Sequence, residues 1–250
     1  MSALLEVSGL CKHFGGLQAV KDASFAIEPG EIVGILGPNG AGKTTLYNLL
    51  TGFIPFDSGS VVFKGRDLRG LAPYRIAGLG ISRTFQLCRP FVGMTVFENV
   101  IVGGLGASGG GAALDAHAHA LLGQVGLAGK EQLAVETLSY GDQRRLEIAR
   151  ALAAKPALLL LDEPFAGLGS GEIADLSALI RSVHADQGLT VMLIEHKLHE
   201  FMRLVDRVIA LDFGEIIAAG TPEDIVRHPA VIEAYIGRGD AEAGEQTDAA

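Results

Sequence analysis

At 250 residues the chain is long enough to bury a sizeable core in one domain or two, and 48% apolar with 20% charged residues places it among folded globular proteins. A net charge of −9 disfavours nucleic acid as a partner, because a broad phosphate footprint needs a basic face. Cys11 and Cys88 have neither metal nor disulfide-framework spacing, the first six residues lack signal-peptide character, and no window approaches about 18 uncharged apolar residues, so the composition fits a reduced, cytosolic compartment without a membrane span.

In chain order, residues 4–7 and 25–27 read as short strands on either side of a turn at Gly15-Gly16. Phe14 sits among small and polar residues, so it is either a core side chain or a flat face on which a base could stack. Residues 31–36 read as a buried strand entered through the turn Glu28-Pro-Gly30. Gly37-Pro-Asn-Gly-Ala-Gly-Lys43-Thr44 follows, and Leu46, Leu49 and Leu50 after it recur at helical spacing. Strand, G-x-x-x-x-G-K-T loop and helix form a phosphate-binding loop. Glycines let backbone N–H groups converge on phosphate oxygens, and the helix N-terminus adds a favourable dipole. In such a loop Lys43 reaches the β- and γ-phosphates and the Thr44 hydroxyl serves Mg²⁺.

Further along, residues 60–63 read as a strand, Pro73 opens a short helical piece, and residues 80–85 form a strand ending at Gln86. Thr95 and Glu98 form a capping box before a helix. Residues 103–111 read as a glycine-rich flexible connection, and residues 112–125 as a second helix. On that helix His117 and His119 point to different faces and are expected to be exposed, not metal ligands. This stretch reads as a small helical insertion between two α/β portions. Ser139 and Asp142 form another capping pattern, before a helix over residues 143–154 stopped by Pro156. Residues 157–161 are a buried strand followed by Asp162 and Glu163, at the edge where open α/β sheets bind ligands. An amphipathic helix carries Ile173, Leu176, Leu179, Ile180 and Val183. A strand over 191–194 leads to Glu195 and His196, and the nearby His199 makes only a weak metal pattern. Residues 207–211 and 215–218 read as a closing strand pair, Thr221 starts a helix with proline at its first position, and residues 237–250 read as a disordered tail.

Phosphate loop, Gln86, the Leu138-Ser-Tyr-Gly-Asp142 segment, Asp162-Glu163 and His196 stand in the order found in the nucleotide-binding subunits of ABC transporters, which the chain resembles over residues 4–237. The resemblance implies an α/β fold: a phosphate-loop (RecA-like) NTPase core, a small antiparallel β subdomain and an α-helical subdomain inserted at about residues 87–153. One ATPase domain over 1–237 and a tail over 238–250 are expected. ATP and Mg²⁺ are the implied ligands. Phe14 would stack on adenine, and Gly37, Pro38, Asn39, Gly40, Ala41, Gly42, Lys43, Thr44 and Thr45 would hold the nucleotide. Thr44, Gln86 and Asp162 would serve the metal. Glu163 would polarise the attacking water, His196 would contact the γ-phosphate, and Gln86 would link metal and water to the helical subdomain. Leu138, Ser139, Tyr140, Gly141 and Asp142 would face ATP held by a second such subunit. Phosphoryl transfer asks for these residue types because it needs positioning and charge neutralisation more than covalent catalysis.

The usual signature is L-S-G-G-Q; here Tyr140 and Asp142 replace its third and fifth residues, and Gly169 stands where aspartate is common. Asp142 is expected to cap Ser139 and to pair with Arg144 or Arg145. Phe14-Gly-Gly16, Arg83-Thr-Phe-Gln86, Met94-Thr-Val-Phe-Glu-Asn99, the 138–152 run and Ile194-Glu-His196 are similar to ATPase subunits of branched-chain amino-acid importers. That resemblance implies two integral-membrane permease subunits, a periplasmic binding protein and a place at the cytoplasmic face of the inner membrane. Urea or amide importers and lipopolysaccharide exporters use related subunits. A soluble nucleic-acid-associated ATPase fits the acidic balance poorly, and a catalytically dead cassette is at odds with Lys43, Asp162, Glu163 and His196.

Overall fold

The computed structural model describes residues 3–86, 89–106 and 111–235. The described residues divide into two compact units, one of 3–28, 33–70 and 205–235, the other of 29–32, 71–86, 89–106 and 111–204.

The first unit opens with an antiparallel hairpin of β1 (Leu5–Phe14) and β2 (Leu17–Ile27) around the Gly15-Gly16 turn. Both strands run much further than their apolar ends predict. Their outer residues mix polar side chains with the exposed Phe14 and Leu17, and cross-strand pairing with register shifts keeps the backbone extended where hydrophobic alternation is broken. The chain then forms β3 (Ile32–Leu36), buried throughout, and α1 (Lys43–Leu50). Next come β4 (Ser58–Phe63) and β5 (Arg66–Asp67), which complete a sheet in the order β2-β1-β4-β5. Leu5, Leu10, Val20, Ile27 and Phe63 fill its apolar face.

In the second unit α2 (Pro73–Gly78) precedes β6 (Ile81–Arg83). The strand ends short of residue 85 because the Thr84 N–H still joins the Leu160 carbonyl, whereas the Phe85 N–H turns to the Glu147 carboxylate. The helix α3 (Val96–Gly104) starts at Thr95 with both halves of the capping box formed. It includes Gly103 and Gly104, which the sequence assigns to a flexible connection. A side chain on Gly103 would collide with the Arg150 carbonyl, so the glycines serve close helix packing. Residues 107–110 of that connection, with Cys88 and the 237–250 tail, lie outside the described residues. α4 (Ala112–Gln124) and α5 (Tyr140–Leu152) follow; α5 begins three residues before its predicted start, directly after Ser139. Then come β7 (Leu158–Asp162), α6 (Ser170–Gln187), β8 (Thr190–Ile194) and α7 (Leu198–Leu204). β6, β7 and β8 pair in parallel, and β7 and β8 are buried on both faces, as crossover helices demand.

Back in the first unit, β9 (Arg207–Asp212) pairs in parallel with β3 and antiparallel with β10 (Glu215–Gly220). α8 (Pro222–Val226), capped by Thr221, and a helical turn over residues 229–235 end the described chain.

Candidate functional site

The phosphate loop leaves the C-terminal end of β3. Gly42 adopts φ 102°, a region side chains avoid, and a side chain there would collide with the Ala19 carbonyl; one on Gly37 would strike the Leu211 carbonyl. The backbone is therefore held in a cradle that only glycine permits. Lys43 is buried, and its ammonium donates to the carbonyls of Gly37 at 2.7 Å and Pro38 at 3.0 Å, curling the loop over its own cation. No side chain caps the N-terminus of α1 and its first turn contains no acid, so nothing in that turn opposes the attraction of the helix dipole for an anion. Thr44 is exposed there, Thr45 half-buried, and Asn39 and Gly40 form the open rim.

Phe14 is 46% exposed, so of its two readings the structure selects the free face over the core. Its strand end is pinned by Asp57, which accepts from Lys12 Nζ at 2.8 Å and the His13 N–H at 2.7 Å. Those two bonds, the lysine's first, hold the Asp57 carboxyl down at about 2. Lys12 Nζ lies 5.4 Å from the Phe14 ring centroid, a cation on the aromatic face. In the same unit the Tyr235 hydroxyl, whose pKa burial pushes up, is hydrogen-bonded to the backbone of Gly37. The sequence gives no sign of that contact.

In the second unit Asp162 ends β7, buried, with its Oδ2 on Arg83 Nη2 at 2.7 Å. Glu163 turns the chain at φ 50°, uncommon for a residue with a side chain. Its N–H is held by the Ile194 carbonyl. That turn aims its carboxylate between two partners: Gln86 Nε2 donates to Oε2 at 2.9 Å, and His196 Nε2 lies 3.0 Å from Oε1. Against an ionised carboxylate Nε2 carries the proton. The three residues assigned to water and γ-phosphate thus form one hydrogen-bonded set.

Glu195 holds that set in place and is not among the residues singled out from the sequence. Its buried carboxylate accepts from the Phe165 N–H at 2.6 Å, the His196 N–H at 2.9 Å and the Lys197 N–H at 3.1 Å. It joins the turn after the acid pair to the turn bearing His196. The available signal is a glutamate closing an apolar strand, where a charge must find donors to be buried.

Ser139 caps α5, its hydroxyl accepting from the Asp142 N–H at 3.2 Å. The Asp142 carboxylate itself pairs with Lys130, not with Arg144 or Arg145. Arg144 turns inward to Glu147, and Arg145 reaches the Val125 carbonyl and Asp175. Burial pushes the Glu147 carboxyl up, opposed by its bond from the Phe85 N–H and by Arg144. Gly169, lacking the usual carboxylate, starts α6 with its N–H on Glu172 Oε2 at 3.0 Å. Because Asp142→Gln keeps the backbone bond to Ser139 and loses only a part-exposed ion pair, we expect ATPase activity within about threefold of the parent and a Tm lower by about 1–3 °C. Calorimetry and a phosphate-release assay check this; complete loss of turnover overturns the surface role of Asp142.

His119 is exposed and stacks on Phe97, but His117 is half-buried, contrary to expectation, and burial lowers its pKa. The α4 stripe containing Leu114, Ala118 and Leu121 draws its ring inward. His199 is exposed beside Glu200. Among the described residues no cluster of three or more His, Cys, Asp or Glu could hold a metal by itself.

The family described as ABC transporter matches residues 20–166, and one described as branched-chain amino acid ATP-binding cassette transporter matches residues 215–241. The high-affinity branched-chain amino acid transport ATP-binding protein BraF of Pseudomonas aeruginosa is 41% identical, over 94% of this chain and 98% of its own. The ADP conformation of MJ1267, an ATP-binding cassette of an ABC transporter, is similar with a TM-score of 0.87 and 31% identity, over 95% of this chain and 100% of that one. A dimeric structure of MJ0796, a bacterial ABC transporter cassette, gives 0.78 at 25% identity over 87% and 98%.

Proposed function

Because the chain belongs to the ATP-binding subunits of ABC transporters, we propose that its ATP hydrolysis energises uptake of branched-chain or closely related amino acids. The observation that carries the cargo is the match of residues 215–241 to the branched-chain family, in a region the general cassette match does not reach.

In this reading Phe14 offers its exposed face to adenine. Lys43, the loop N–H groups and the α1 N-terminus take the phosphates, and their positive ends offset charge that grows on the oxygens in the transition state. Glu163 accepts a proton from the attacking water, Gln86 fixes its carboxylate, and the His196 Nε2–H, which Glu163 holds in this structure, turns from that carboxylate to the γ-phosphate when nucleotide binds. Thr44, Gln86 and Asp162 are all oxygen donors, the chemistry that suits magnesium, and they would hold it. When bound, that ion neutralises phosphate charge. Arg83 orients Asp162 for this.

Ser139 and Gly141 serve ATP held by a second ATPase subunit, identical or related, and the dimeric MJ0796 cassette supports this arrangement. No helix among the described residues is long and apolar enough to cross a membrane. Attachment at the cytoplasmic face falls to two permease subunits, with a periplasmic binding protein delivering cargo. The exposed Phe85, Phe91, Val92 and Met94 support a docking role for the segment after β6.

The test is reconstitution with the permeases that co-purify with the full chain. Leucine-loaded binding protein is expected to stimulate ATPase activity several-fold. A response to lipid with none to any amino acid overturns import, and a response confined to urea or amides moves the cargo.

A further inference from the structure

Tyr140 is the signature residue that departs most in size from the usual glycine, and its surroundings give it work within its own subunit. Its ring lies on Gly167: a side chain there would come within 2.8 Å of Tyr140 Cε1, and Gly167 itself has φ 77°. Its hydroxyl accepts from Arg144 Nη2 at 2.8 Å, and the same nitrogen donates to the Gln86 carbonyl at 2.7 Å. Arg144 Nη1 reaches Glu147 Oε2 at 3.2 Å, and Glu147 Oε1 accepts from the Phe85 N–H at 3.0 Å. Both members of this ion pair are almost wholly buried, so the guanidinium can turn only where acceptors allow.

Two runs of contacts therefore lead from Tyr140 to one carboxylate. The first passes through Arg144 to the segment bearing Gln86, whose amide donates to Glu163. The second passes from Gly167 to the neighbouring Leu168, whose carbonyl accepts from Lys197 Nζ at 2.9 Å. The Lys197 and His196 N–H groups share Glu195 Oε2, and His196 meets Glu163. The loop after the acid pair has no carboxylate at Gly169 to anchor it to the signature segment, and the Tyr140 ring supplies a contact.

We propose that Tyr140 is a positioning residue that fixes the Gln86 segment and the 166–168 loop around Glu163, so that its hydroxyl sets the rate of hydrolysis through Arg144 and leaves ATP affinity unchanged. The proposal rests on the reading of Glu163 and Gln86 as the water-handling pair. Removing the hydroxyl leaves a buried guanidinium N–H without its acceptor; Arg144 then shifts and releases the Gln86 carbonyl.

The experiment uses the full chain with Mg·ATP. Tyr140→Phe keeps the ring on Gly167 and is expected to lower kcat about tenfold with KM for ATP within about twofold. In an Arg144→Gln, Glu147→Gln background, which stays neutral, the same change is expected to have no further effect on kcat. Should that background fail to fold, the split between kcat and KM in the single variant decides. Unchanged kcat, a raised KM at constant kcat, or an equal loss in both backgrounds overturns the proposal. A parent that hydrolyses ATP equally well with Glu163→Gln overturns the underlying reading instead.

Discussion

Glu163→Gln lowers the kcat for ATP hydrolysis by about 10²–10⁴, the contribution expected of a positioned general base, while ATP still binds. The substitution is nearly isosteric, so the φ of 50° and the bond from its N–H to Ile194 survive. The neutral amide keeps one acceptor oxygen for Gln86, turns an N–H towards His196 where the carboxylate offered an acceptor, and cannot take the water's proton. The substitution slows the chemistry and leaves the phosphate-loop residues unchanged. ATP-bound subunits should then accumulate as a dimer in the presence of Mg·ATP, read by size-exclusion chromatography and by retained nucleotide. Turnover equal to the parent's removes Glu163 from the mechanism. Asp162→Asn is a contrast, since it removes the buried negative charge paired with Arg83 and is expected to lower Tm as well as activity.

The sequence made legible those features whose chemistry is local. The phosphate loop is contiguous, and its glycines, Lys43 and Thr44 announce themselves by spacing. Asp162, Glu163 and His196 follow apolar runs that end at one edge of a sheet, so their neighbourhood follows from strand periodicity alone. What stayed hidden depends on residues far apart in the chain. Nothing local shows that Phe85 gives its N–H to Glu147, or that Lys130 rather than Arg144 neutralises Asp142. The length of β1 and β2 is hidden for a related reason: cross-strand pairing with register shifts holds the hairpin end extended, where hydrophobic alternation is broken. Glu195 closes an apolar strand but carries no further local mark, because the N–H groups that hold its carboxylate are those of Phe165, His196 and Lys197, brought together by the fold. Gly103 reads as a flexible link because a glycine that lets two helices approach closely has the same composition signal as one that gives freedom.

Lys43→Ala is expected to weaken ATP binding by about 10²–10³, because in the proposed function this one side chain serves the ligand as well as the loop it is bonded to. With the ammonium buried and bonded to the Gly37 and Pro38 carbonyls, its removal exposes those oxygens to each other and to the incoming phosphates. Both consequences oppose an anion: a positive charge is lost, and carbonyl dipoles once turned onto the cation become free. Lys43→Arg is expected to restore little, since a planar, larger guanidinium must replace a compact ammonium in a space closed by the backbone. The measurement is thermal unfolding with and without Mg·ATP. Ligand at free concentration c that binds only the folded chain stabilises it by RT ln(1 + c/Kd), so the parent's Tm shifts upward. Lys43→Ala should show a shift smaller by several degrees at the same ATP concentration. A parent-like shift places the phosphates elsewhere and sets the loop aside as their cradle.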